Sequence, residues 1–253
     1  MKLNTWKATG ALMVLSGALA MATPAQATTI PLNTNSGVGG GAGSYDNGSS
    51  GNSRTFVVGT YSVTATAYTY SGTSTAGLFS AAQLGLYSGN GLGVCEGGST
   101  SCTSPNHQVD DASSRQEWIL LQFTGEVGLL DAVLNTTNSS DTDIRFYSGV
   151  GSLNPLLSTV HYSTLGTLGT SDDTTNTSGP NPRTATISLP DVKWLLIGAN
   201  PGADAYTDMF KLYAVDVTTP TKRDINPVPE PTSLLLLGTG LVGIGNRLRK
   251  YFS

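Results

Sequence analysis

The sequence predicts an all-β protein, a single antiparallel β-sandwich or jelly roll, and three observations carry that prediction. Apolar and β-branched residues recur with a period of two, as where Val63, Ala65 and Ala67 alternate with Thr64, Thr66 and Tyr68. Gly, Pro, Asn and Asp separate the short runs, and no amphipathic helical pattern interrupts them. The 253 residues leave room for one sizeable domain once both end segments are set apart.

At the N-terminus, Lys2 and Lys7 precede an apolar run over residues 11–22, followed by Pro24, Ala25, Gln26 and Ala27. A basic region, a short apolar core and small residues at Ala25 and Ala27 are the parts of a secretory signal peptide spanning 1–27, cut after Ala27 by a signal peptidase. A membrane anchor needs about 20 apolar residues, more than this run offers. Residues 28–53 are rich in Gly, Ser and Asn and read as a flexible leader that cannot repay its ordering entropy. Their glycines do not make a phosphate loop, because no strand precedes them and no Lys-Ser/Thr follows.

The β domain is expected over 54–219. Its strands are predicted at 56–70, 83–87, 117–123, 127–134, 144–147, 184–189, 194–197 and 210–217. Residues 220–227 form a linker. Charged residues are only 12% of the chain and the net charge is -4, so nothing in the charge balance draws it to nucleic acid or an anionic lipid surface.

The two cysteines, Cys95 and Cys102, lie in the Gly/Ser-rich stretch CEGGSTSC. In an exported chain they read first as a disulfide, which for so small a loop contributes about 2 to 3 kcal/mol. A metal reading would recruit His107 and His161, but the spacing matches no common zinc pattern.

The C-terminus has three parts. Pro227, Pro229 and Pro231 bracket Val228 and Glu230, which keeps the backbone extended and short of donors. Residues 232–245 are apolar or small, and as a helix they cover roughly 21 Å of a hydrocarbon core near 30 Å thick. Arg247, Arg249 and Lys250 then supply cations that snorkel to headgroups and hold the cytoplasmic side. The order Val228-Pro229-Glu230-Pro231, short hydrophobic transmembrane helix and basic tail over 228–253 resembles the PEP-CTERM sorting signal of Gram-negative bacteria. That resemblance implies an exosortase as processing partner, transient insertion in the inner membrane, cleavage near 229–231, and release or attachment at the cell surface or extracellular matrix alongside exopolysaccharide. The competing reading is a C-terminal anchor that is never cut.

The block GLGVCEGGSTSCTSPNHQVDDASSRQEWILLQF also resembles a pattern of the exosortase-dependent surface proteins, with Gly91 and Gly93 read as a tight loop and Glu117 opening an apolar strand. No activity comes with that resemblance. Asp110 and Glu117, with Asp111 between them, offer hard oxygen ligands for a structural calcium, whereas Asp141 and Asp143 read as turn residues. A catalytic role is not expected: no G-x-S-x-G elbow appears, nothing sets two acids at a glycosidase separation, and His161 reads as packing or surface. Tyr68 and Tyr70, with Tyr61 and Trp194 nearby, suggest an aromatic platform for sugar rings on an exposed sheet face. The expected function is therefore a non-catalytic structural or adhesive surface protein, the alternative being a carbohydrate-binding module.

Overall fold

A computed structural model describes residues 27–33, 52–71, 77–87, 89–95, 108–111, 115–136, 142–151, 153, 157, 160–161, 164–165, 167–171, 181–200 and 207–220. Among the described residues twelve strands run in chain order: β1 (Thr28–Pro31), β2 (Ser53–Val58), β3 (Tyr61–Ser71), β4 (Leu78–Ala81), β5 (Gln83–Tyr87), β6 (Gly91–Cys95), β7 (Val109–Asp110), β8 (Arg115–Asn135), β9 (Ile144–Gly149), β10 (Thr167–Ser171), β11 (Arg183–Ala199) and β12 (Met209–Thr218). All pairings are antiparallel and belong to one continuous sheet.

Strands β8 and β11 organise this sheet. They pair along nearly their whole length, Arg183 opposite Leu134 at one end and Gly198 opposite Trp118 at the other. The other edge of β8 is shared: β3 occupies it from Arg115 to Phe123 and β12 from Gly128 to Asn135. The change of partner falls at Thr124, Gly125 and Glu126, all exposed. There the sheet forks into two wings, and the twist natural to paired strands curls them toward each other. Wing one carries β2, β3 and β4; wing two carries β12, β1, β6, β7 and β5. β2 and β3 come back against β1, β5 and β6. The result is a nearly closed, barrel-like sheet in place of the two separate sheets of a sandwich.

The predicted strands differ from the observed ones where partners, not local pattern, set the limits. Residues 56–70 are two strands joined by a turn at Gly59 and Thr60, with Gly59 at φ 58°. Residues 117–123 and 127–134 are one strand, as are 184–189 and 194–197, because each run finds a partner on both sides of the intervening polar residues. Gly91 and Gly93 do not make a loop but lie in β6; Gly91 sits at φ 111°, where a Cβ would stand 2.6 Å from the carbonyl oxygen of Leu212. The expected flexible leader begins instead with β1, whose Ile30, like Leu32 just beyond it, is fully buried; residues 34–51 lie outside the described residues.

Two cores result. The interior is filled by Val63, Ile119, Leu121, Leu129, Leu195, Ile197, Phe210 and Val215 among others. A second cluster lies outside the barrel, on the outer face of β3, β8, β11 and β9: Tyr68, Tyr70, Phe79, Trp118, Leu120, Tyr147, Trp194 and Leu196, roofed by Leu157 and Leu165 with Leu153 and Val160 at its margin. Its large rings lie over glycines of neighbouring strands. A Cβ on Gly198 would stand 2.7 Å from the Trp118 ring, and one on Gly149 would stand 2.6 Å from that of Trp194.

Candidate functional site

Of the acids singled out from the sequence, Asp110, Asp111, Glu117 and Asp143 lie where β7 ends and where β8 and β9 begin, and with Asp208 before β12 they close loops. Glu117, buried at the start of β8, accepts the main-chain N–H of Asp110 at 3.2 Å. The Asp111 carboxylate accepts the N–H of Asp208 at 3.0 Å, and the Asp208 carboxylate accepts the N–H of Asp143 at 3.2 Å. Asp143 in turn accepts the Asn200 N–H through its main-chain oxygen at 3.1 Å. Arg183, also buried, donates to the carbonyl and hydroxyl oxygens of Thr142. Each of these carboxylates satisfies an amide that the ends of strands leave without a ladder partner, which is the physical requirement for burying that backbone.

The calcium candidates Asp110 and Glu117 are thus neighbours, but through the amide of the first and the carboxylate of the second. Among the described residues no group of three or more His, Cys, Asp or Glu is placed to hold a metal ion. His107 and Asp141 lie outside the described residues. His161 donates its Nδ1 hydrogen to the carbonyl oxygen of Gly77, tying the segment that roofs the outer aromatic cluster to the start of β4. That is a structural contact.

Tyr68 and Tyr70 are not on an exposed face: they are 5% and 0% exposed. The alternation placing them opposite Val63, Ala65 and Ala67 holds, but a second layer covers the outer side. Phe79 packs edge-on to both rings, with centroids 6.1 and 4.9 Å away, and Trp118 is 5.9 Å from Tyr147. Burial also pushes the Tyr68 hydroxyl above its ordinary pKa, since the phenolate would be desolvated. These rings cannot serve as a sugar platform in this state, and Trp194, 7% exposed, belongs to the same cluster.

Sequence reasoning missed two shallow clefts that meet at Phe123, of about 260 and 160 Å³. The larger is lined by Thr60, Tyr61, Ser62, Thr124 and Glu126, and the smaller by Gln122, Leu153, Lys193 and Trp194. They arise where β8 changes partners, a feature with no local signature. Lys193 and Glu126 stand 3.8 Å apart there, both exposed, so their pairing contributes little.

The remaining candidates sit at the chain ends. Ala27 is exposed immediately before β1, and Ala25 lies outside the described residues. Cys95 is buried at the end of β6 beside Tyr87, and Cys102 lies outside the described residues. Val228, Pro229, Glu230, Pro231, Arg247, Arg249 and Lys250 also lie outside them; the chain leaves the barrel through 218–220. No helix among the described residues is long and apolar enough to cross a membrane.

Comparison with known proteins is informative at that C-terminal end. Residues 227–250 match the family model of the PEP-CTERM protein-sorting motif. No curated protein and no solved structure matches the chain. The motif supports a secreted protein that is transiently membrane-anchored and processed by an exosortase.

Proposed function

We propose that this protein is a non-catalytic structural or adhesive component of the cell surface or extracellular matrix, exported by a signal peptide over 1–27 and delivered through its C-terminal motif to a location rich in exopolysaccharide. The observation that carries the reading is the sorting-motif match at 227–250. Its physical logic is a stiff Pro-flanked handle, an apolar segment brief enough to be a reluctant span, and a cationic stop. Within the barrel, acids whose oxygens accept main-chain amides favour a structural role for the carboxylates over a catalytic one.

A disulfide between Cys95 and Cys102 fits the same compartment. It would pin the stretch between β6 and β7, next to the strand ends where the acids gather.

Mass spectrometry of the protein recovered from the cell surface tests the proposal. The expected mature form begins at Thr28 and lacks everything after 229–231. A surface form retaining Ser253 overturns processing. Retention in the cytosol overturns the whole reading.

A further inference from the structure

The first and last strands among the described residues are neighbours in opposite directions. Thr28 lies opposite Val217 and Pro31 opposite Ala214, so the chain enters the fold beside the point where it leaves. The pairing is well built for four residues: Ile30 and Leu32 are fully buried in the main core, Leu32 donates its N–H to Tyr213 at 2.8 Å, and Thr29 donates its hydroxyl to Asp216 at 2.6 Å. Ala27, the residue before the expected cut, is exposed, but the residue after it is already the first of β1.

A protease must hold both sides of the bond it cuts in an extended, unpaired conformation, so its rate follows the population of the opened substrate. With β1 seated, the downstream side of the Ala27–Thr28 bond is occupied by β12. The apolar run ending at residue 22 is six residues from Thr28, a reach of about 20 Å at full extension. An uncut signal in the bilayer would therefore hold this pole of the barrel at the membrane, the same pole from which the sorting tail departs.

We propose that β1 is a clasp: it closes on β12 after N-terminal cleavage, and by closing it fixes the root of the C-terminal sorting tail to the barrel. The inference rests on the export reading above. It gives the two processing events an order, since an unclasped β12 exposes its edge and the cavity of Ile30 and Leu32 until the N-terminus is released.

The test uses the purified, uncut full chain in detergent with signal peptidase, read by mass spectrometry. Thr29→Cys with Asp216→Cys places two thiols at facing cross-strand positions, and their oxidation locks the clasp. The oxidised chain is expected to be cut at least about tenfold more slowly than the same chain reduced, and Ile30→Asp, which unseats β1 but leaves Ala25 and Ala27 intact, is expected to be cut at least as fast as wild type. Equal rates for locked and reduced chains overturn the clasp, as does failure of the two thiols to pair. Wild-type chain cut elsewhere than after Ala27, or not at all even with Ile30→Asp, overturns the export reading and the clasp with it; cutting after Ala27 at a rate indifferent to the lock overturns the clasp alone.

Discussion

The two halves of β8 differ in what covers their outer faces. From Glu117 to Leu121 the strand is buried on both sides, because Trp118 and Leu120 point into the outer aromatic cluster while Ile119 and Leu121 point inward. From Val127 to Asn135 only one side is buried, and the other meets solvent through Leu130, Asp131 and Val133. The rows across the sheet repeat the contrast. Tyr68, Trp118 and Gly198 lie abreast on the covered wall, whereas Thr29, Asp216, Asp131 and Thr186 lie abreast on the bare one. A sheet wall is stabilised by packing where it has a second layer and by its ladder and inner face alone where it has none.

The sharpest way to break this contrast is to empty the covered wall. Trp118→Ala is expected to destabilise by about 3 to 5 kcal/mol, since it removes a fully buried ring that Phe79, Tyr147 and Leu120 cannot replace. Urea unfolding measures it. A loss below about 1 kcal/mol would mean that the outer cluster is loosely packed.

Gly198→Ala attacks the same wall from beneath. A Cβ there meets the Trp118 ring and the Glu117 carbonyl at 2.7 Å, so a loss of about 1 to 3 kcal/mol is expected. Gly125→Ala, with nothing within 4 Å, is the matched control and should change stability by less than about 0.5 kcal/mol.

On the bare wall the sign reverses. Asp131 and Asp216 are direct cross-strand partners of like charge. Asp131→Asn is therefore expected to raise the unfolding midpoint slightly, by a few tenths of a kcal/mol, with the gain shrinking as salt is added. No gain at low salt would show that the two carboxylates do not repel each other across the ladder.

The smallest effect is a pH slope. Because burial holds the Tyr68 proton above its ordinary value of 10.0, the folded chain keeps that proton after the unfolded chain has lost it. The stability linked to Tyr68 is thus complete below about pH 10 and declines as pH rises from there toward the folded value. Tyr68→Phe should flatten part of that alkaline decline, followed by urea midpoints between roughly pH 9 and 11.

Strand periodicity was legible wherever one residue pair in two faced the core. Residues 83–87 match β5 in full, and the inward set Val63, Ala65 and Ala67 was readable from alternation alone. For the outer set, alternation gives the side that Tyr68 and Tyr70 share and says nothing about whether Leu157 and Leu165 will roof it. In the sequence Asp110 and Glu117 offer oxygens to a metal, whereas in the fold the Glu117 carboxylate accepts the Asp110 amide, at a strand end that exists only after folding. The clefts beside Phe123 come from a fork in the sheet, and no stretch of residues announces a change of partner.

By itself the sequence determined the all-β class, the polar turns and the C-terminal sorting motif, since each depends on residues adjacent in the chain: alternation, turn chemistry, and a proline handle before an apolar run and cations. The tertiary structure decided the rest. Inward residues of β8 are odd-numbered through Leu129 and even-numbered from Ala132, because the register slips at Leu130 against both β11 and β12. Closure of the barrel, the second aromatic layer and the seating of β1 likewise depend on residues far apart in sequence meeting across strands, a constraint that no local window contains.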